Sequence, residues 1–375
     1  MTARERYIQT LTFGNPDKIP LEVGHPREST LNAWHAQGLP KGVHYLDALY
    51  GELGIMRPSD IEKISIGSSF KMIPTFEEKV LEHRDGHYIV QDWMGAITEI
   101  SDEFDYTYIR SAKDFVTRKW HKFPVESREE FAEMKKRFRA DIEGRHADDI
   151  LERAKKLADR DFVSVVNING PFWQLREFCG MENLCMMFID DPEFVEEMVD
   201  FWTNFVYDTL KTILASGYVP DSVRFQEDMA YKAHPMISPK MTRDFLSPAY
   251  KKWVKLIKSA GVPIVAMDSD GYIADLIPVW IESGINSCDP IEVAAHCDIN
   301  EFRRMFGKEM AYQGSVDKRA MAKGGITLAD EIKRISPVVK DGGFIPSCDH
   351  GVPHDISWQN YLETGRLLAK ICGWL

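Results

Sequence analysis

The rhythm of hydrophobic and polar positions changes near residue 160. Ahead of that point the elements are mixed. "TARERYIQTLTFG" has helical spacing and stops at Gly14, where Asn15-Pro16 supplies turn chemistry. "KIPLEVG" then reads as a short strand. In "KVLEHRDGHYIVQDWMGAITEIS" the strand-like runs flank Asp85-Gly86, a pair that favours a tight hairpin turn. A charged tract over residues 127–159, with "REEFAEMKKRFRADIEG" and "DDILERAKKLAD", reads as helix with a solvated face.

Beyond residue 161 short apolar runs alternate with longer helical periods. "FVSVVNING", "DSVRFQED", "VPIVAMDSD", "INSCDP", "MAYQGSVD" and "GFIPSCDH" are six strand candidates, each followed by a helical stretch. The helical stretch after the first breaks near Asp191-Pro192. Consecutive strand–helix units imply parallel strands joined by crossover helices. No glycine-rich dinucleotide fingerprint opens any of these helices, which favours a (β/α)8 barrel over a doubly wound sheet. The predicted fold is therefore α/β, a TIM barrel with an N-terminal helical and hairpin extension. One domain covers residues 1–375, with the extension and first barrel units in 1–160 and the regular repeats in 161–375. Barrels of this class often exceed 250 residues as one domain.

Charge and cysteine usage narrow the function classes. The formal net charge is -12 and no basic patch stands out, which argues against nucleic acid or an anionic membrane surface as partner. The N-terminus lacks the apolar core of a signal peptide, and no run reaches the length of a membrane-spanning helix. The six cysteines are scattered, as reduced thiols are in a cytosol, so the expected location is cytoplasmic.

In such barrels chemistry sits at the carboxyl ends of the strands. Those ends are polar here: Glu227-Asp228, Asp268-Ser269-Asp270, Cys288-Asp289, Asp317 and Cys348-Asp349-His350. Side chains at i and i+2 on a strand share a direction, so Asp268 pairs with Asp270 and Cys348 with His350. Facing the barrel mouth together, they make a set of thiolate, imidazole and carboxylate that suits zinc. Each has a plainer use. Asp268 or Asp270 equally suits the cap of a helix starting near Gly271, Cys348 a small buried hydrophobe, and His350 a hydrogen bond within its loop. Cys288 and Cys297 read as packing residues, and His296 as part of a loop before a helix. Glu227 and Asp228 are adjacent carboxylates that repel unless a cation or proton lies beside them, which points to a functional role for at least one.

"FQEDMAYKAHPMISPKMTRDFLSPAYKKWV", "MDSDGYIADLIPVWIESGINSCDPIEVAA", "QGSVDKRAMAKGG" and "GGFIPSCDHGVPHDISWQNY" resemble the uroporphyrinogen decarboxylase superfamily, as does the opening "RERYIQTLTFGNPDKIPLEVG". The resemblance implies a (β/α)8 barrel with an N-terminal helical extension, and one of two activities. True decarboxylases grip a carboxylated tetrapyrrole with an arginine-rich loop after the first strand. Here "IPLEVGHPRESTLNAW" offers Arg27 and His25 but no close arginine pair. The corrinoid-linked methyltransferases bind zinc through a His-x-Cys pair and a later cysteine. "MDSDG" occupies the place of that pair, with Asp268 and Asp270 instead, and Cys348 is close to the place of the last cysteine. An oxygen-rich site suits an ether oxygen better than a thiol. The sequence thus resembles the first methyltransferase of an O-demethylase system.

On that resemblance the expected zinc ligands are Asp270, Glu292, Cys348 and His350, with Asp268 in reserve. Glu227 is the expected general acid and Asp228 its electrostatic tuner. Trp93, Phe172 and Trp173 either line a substrate pocket or pack in the core. The expected partners are a small methylated substrate and a corrinoid protein whose cobalamin accepts the methyl group, with a homodimer implied only at family level. The alternative is a uroporphyrinogen decarboxylase-like lyase acting on a carboxylated substrate without metal. A third class, a binding protein that has lost catalysis, has to explain carboxylates that are costly to retain without use.

Overall fold

The structure, a computed structural model, describes residues 1–57, 64–107 and 116–375. The extension begins with α1 (Ala3–Leu11), α2 (Glu28–Ala36) and α3 (Tyr45–Leu53). Thr2 and Glu5 close a capping box at the start of α1. An antiparallel meander follows, of β1 (Lys79–Arg84), β2 (His87–Gln91), β3 (Ile97–Ser101) and β4 (Arg118–Lys122). Its first hairpin turns at Asp85-Gly86, both at positive φ, as the dipeptide predicts. The charged tract over 127–159 is not one helix. It divides into α4 (Arg128–Lys135) and α5 (Ile150–Ala158), because the intervening chain turns back at Gly144 and buries Arg145, whose guanidinium donates to the carbonyls of Ser69, Lys71, Arg137 and Arg139.

The six predicted strands of the second half all form. They are β5 (Val165–Asn169), β6 (Ser222–Gln226), β7 (Ile264–Asp268), β8 (Ser287–Asp289), β9 (Ala311–Val316) and β10 (Phe344–Cys348), hydrogen-bonded in parallel in that order. Between β5 and β6 lie α6 (Pro171–Cys179), α7 (Met181–Asp190) and α8 (Pro192–Ala215), with Asp191 capping α8 and Pro192 in its first turn. Later crossovers are α9 (Pro239–Met241), which continues through a wide turn into α10 (Ser247–Ser259), then α11 (Ile277–Glu282), α12 (Ile299–Phe306), α13 (Lys318–Lys323), α14 (Gly325–Asp341) and α15 (Trp358–Ile371). This is the α/β TIM-barrel architecture, in which one strand face packs against helices and the other faces the barrel axis.

Alternation assigns the two faces. Val223 and Phe225 of β6 and Val265 and Met267 of β7 join the large core under the helices. Ile264, Ala266, Ala311 and Ile345 instead form a small cluster with Leu11, so α1 closes the amino end of the barrel. The same inward face continues upward to Arg224, Asp268, Asp289, Gln313 and Ser347, which all line one cavity, with Asp268 opposite Asp289 in the β7–β8 register. The predicted strand in "KIPLEVG" forms no ladder. It runs beside the end of β10, where Val23 accepts the Cys348 N–H at 3.3 Å, and Gly24 at φ 106° then breaks the extended run. A Cβ at Gly24 would sit 2.6 Å from the Cys348 Cβ, so this crossing requires glycine. Thr30 and Trp34 of α2 hold the loop after β10 by donating to the carbonyls of Val352 and Ile356. Among the described residues no helix is long and apolar enough to cross a membrane.

Candidate functional site

A cavity of about 660 Å³ opens at the carboxyl ends of the strands. Among its lining residues are the carboxylates Glu22, Asp228, Asp268, Asp270 and Asp289, with Arg224, His25, His350, Trp173 and Cys348. Asp268 and Asp270 share the inward direction that i and i+2 spacing predicts. Neither caps a helix, because the chain after Gly271 turns before α11 begins.

The floor is a charged triad from adjacent strands. Arg224 of β6 donates to Asp289 of β8 at 2.6 Å, with Asp268 of β7 between the two strands. Burial raises the Asp268 carboxyl far above the usual range; repulsion from Asp289 adds to this and Arg224 opposes it. Burial raises Asp289 too, against the same guanidinium. One guanidinium balances one of two carboxylates, so the neighbouring pair tends to keep a proton.

The same cavity is lined by His350. Its Nε2 lies 3.1 Å from Asp270 Oδ2, and its Nδ1 lies 3.3 Å from Arg27 Nη2. Arginine only donates, so Nδ1 accepts and the Nε2 proton points to Asp270. The hydrogen bond to Asp270 raises the imidazole, against its partial burial. Cys348 borders the same cavity but is only 5% exposed, and burial pushes its thiol up to about 12. Asp349 behind it is fully buried, accepts the backbone N–H groups of Val293 and Lys318, and is raised by burial to about 6.

Adjacent in sequence, Glu227 and Asp228 point to different places. Asp228 is left-handed, at φ 40°, and that turn separates the two side chains. Asp228 reaches the cavity, bonded to Arg176 at 3.1 Å, and the Arg176 guanidinium lies 4.1 Å from the centre of the Trp173 ring. Glu227 is fully buried behind that wall. It accepts the Trp173 N–H at 2.8 Å and the Tyr250 hydroxyl, and burial raises its carboxyl to about 7. A Cβ at Gly170 would come within 2.1 Å of the Glu227 Cδ, so glycine there makes room for the carboxyl under the start of α6.

Of the expected zinc donors, Asp268, Asp270, Cys348 and His350 therefore line one cavity. Glu292 does not join them; it is ion-paired to Lys318 at 2.8 Å and accepts the Gly271 N–H. The donors are of the right chemical types, but among the described residues no three His, Cys, Asp or Glu side chains converge at metal-binding spacing. As placed, they do not fit a zinc ion. Of the expected aromatics, Trp173 borders the acidic cavity, Trp93 lines a neighbouring recess, and Phe172 is fully buried and stacks on Phe188. Arg224 and Glu22 were not anticipated. Arg224 sits two residues before Gln226 on a strand whose alternate residues are apolar, a polar-inward signal visible in "SVRFQ".

Residues 119–363 match the family model described as uroporphyrinogen decarboxylase (URO-D). Among solved structures, the chain is similar to a methyltransferase from Methanosarcina mazei, at 14% identity over 99% of each chain with a TM-score of 0.60. It also matches a B12-independent methionine synthase from Shewanella sp. W3-18-1, at 15% identity over 61% of this chain and 67% of that one, with a TM-score of 0.40. No curated protein sequence matches.

Proposed function

The chain belongs to the uroporphyrinogen decarboxylase family, and from that premise we propose that it is a methyltransferase, moving a methyl group from a small methyl ether to the reduced cobalt of a separate corrinoid protein. The observation that carries the reading is the charge of the cavity. Five acidic side chains line it, against Arg224 as the one arginine among the described lining residues; Asp289 engages that arginine, and Arg176 beside the cavity is engaged by Asp228. A tetrapyrrole bearing several carboxylates needs free guanidinium forks and would meet repulsion here. A neutral ether meets none. The Methanosarcina mazei protein that shares the fold end to end is named a methyltransferase, so methyl transfer is a chemistry this fold hosts.

In the proposed step the acceptor's electron pair forms the bond to the methyl carbon while the C–O bond breaks. The leaving oxygen departs as an alcohol when it receives a proton. Asp268 supplies that proton: it lies on the cavity floor, where burial and Asp289 keep it protonated at a pH that ionises an ordinary carboxyl. Asp270 and His350 form the next proton-carrying pair in the cavity. Trp173 gives an apolar surface for the organic part of the ether, and Glu227 is a positioning residue that holds the start of α6, and so Trp173, in place.

The test is an anaerobic assay with a panel of aliphatic and aromatic methyl ethers and cob(I)alamin, read as methylcobalamin absorbance. Methyl transfer to cobalamin that collapses in Asp268→Asn supports the reading. Release of carbon dioxide from a carboxylated substrate, with no methyl transfer, would replace it with the lyase.

A further inference from the structure

A second recess, of about 440 Å³, lies beside the acidic cavity under the N-terminal extension. Its character is different. The barrel contributes carboxamides: Asn167 and Asn169 from β5, Gln174 from α6 and Gln226 from β6. Asn169 and Gln226 are neighbours in the β5–β6 register. The extension contributes aromatic rings, Trp93 from the turn between β2 and β3 and Phe70 from the segment before β1. Lys71 and Glu177 are its only charged lining residues among those described, and burial raises the Glu177 carboxyl toward its neutral form.

The amides are prepared in part and open in part. Gln174 is 6% exposed and fixed, its Oε1 accepting from Asn169 Nδ2 at 3.1 Å. The carboxamides of Asn167 and Gln226 have no hydrogen-bond partner among the described residues. A carboxamide presents an N–H donor and a C=O acceptor side by side. Several of them beside aromatic walls, in a recess with Lys71 and Glu177 as its charged members among the described residues, select a flat ligand whose edge carries the same pair in reverse. The recess has the size of a small-molecule site, roughly 300–1,000 Å³.

We propose that this recess binds an uncharged flat heterocycle with a lactam edge, an N–H beside a C=O, as in a pterin, a hydroxypurine or a pyrimidinone. The proposal does not depend on methyl transfer.

The experiment is calorimetric titration of the full chain with 6-methylpterin, hypoxanthine and uracil, with quinoxaline as a flat ring lacking the edge. Trp93 fluorescence reports the same titrations, with Trp93→Phe as control. At least one lactam should saturate at one per chain with Kd below about 1 mM, and quinoxaline should bind at least about tenfold more weakly. Asn167→Leu and Gln226→Leu should each weaken the lactam about tenfold. Asn167 is exposed, so that variant keeps the fold, which circular dichroism verifies. Saturation by none of the three lactams, or equal binding by both leucine variants, overturns the proposal. The titrations contain no methyl donor, so a negative result leaves the methyltransferase reading standing.

Discussion

Glu227→Gln separates a buried positioning carboxyl from a catalytic one. Glu227 is fully enclosed, with the Trp173 N–H at 2.8 Å and the Tyr250 hydroxyl as partners, and burial raises its pKa from 4.5 to about 7. Ionising it in the folded protein therefore costs about 3 kcal/mol more than in the unfolded chain. Below pH 4.5 the carboxyl is neutral in both states and the penalty is absent. As pH rises from 4.5 to about 7 the unfolded chain ionises while the folded one stays protonated, and the wild type loses that amount. Glutamine stays neutral throughout. Its oxygen still accepts the Trp173 N–H, and the Tyr250 hydroxyl can rotate to accept from its amide. Urea unfolding of both proteins at several values between pH 4 and 8 measures the difference, which cancels every other titrating group. The variant should gain about 3 kcal/mol on the wild type across that interval, with methyl transfer within about threefold of wild type at pH 7. A gain below about 1 kcal/mol would refute the burial argument. A loss of activity of about 10²–10⁴ in a folded variant would make Glu227 the acid after all.

Three further outcomes follow from the same geometry. Asp268→Asn should lower methyl transfer by about 10²–10⁴, and the wild-type rate should fall as pH rises and the raised Asp268 carboxyl ionises; a rate independent of pH above neutrality would remove it as the acid. Iodoacetamide at pH 8 should modify Cys348 far more slowly than a free thiol, since the group is 5% exposed and pushed up to about 12; rapid mass gain at that residue would contradict its placement. Elemental mass spectrometry of the purified protein should find well under one zinc per chain. One zinc per chain, lost in His350→Ala, would show that Asp270 and His350 part and regroup with Cys348 around a metal.

The strand–helix alternation beyond residue 161 was legible because each element obeys its own period. All six strands occur where short apolar runs predicted them, and the break at Asp191-Pro192 is a capped helix start. The i and i+2 rule also placed Asp268 and Asp270 together, since a strand fixes direction locally. Other features depended on groups distant in sequence. The extended run at "KIPLEVG" forms isolated bonds to the end of β10 and the loop after it rather than a ladder, with Gly24 crossing Cys348 between them, and the helical tract over 127–159 breaks to bury Arg145.

By itself, then, the sequence determined the class of fold and the end of the barrel at which polar groups gather, because periodicity and turn chemistry act over a few residues. Only the tertiary structure decided what each polar group does. Glu227 and Asp228 are neighbours in sequence, yet one is sealed beneath Tyr250 and the other opens into the cavity, because Asp228 takes a left-handed turn. Arg224, Asp268 and Asp289 come from three separate strands, and their protonation is set by that meeting. Glu292 was expected to share a metal with Asp270; it accepts the N–H of the next residue, Gly271, and gives its other oxygen to Lys318. Burial and Coulomb interaction depend on distances in space, and those are set when the strands close side by side.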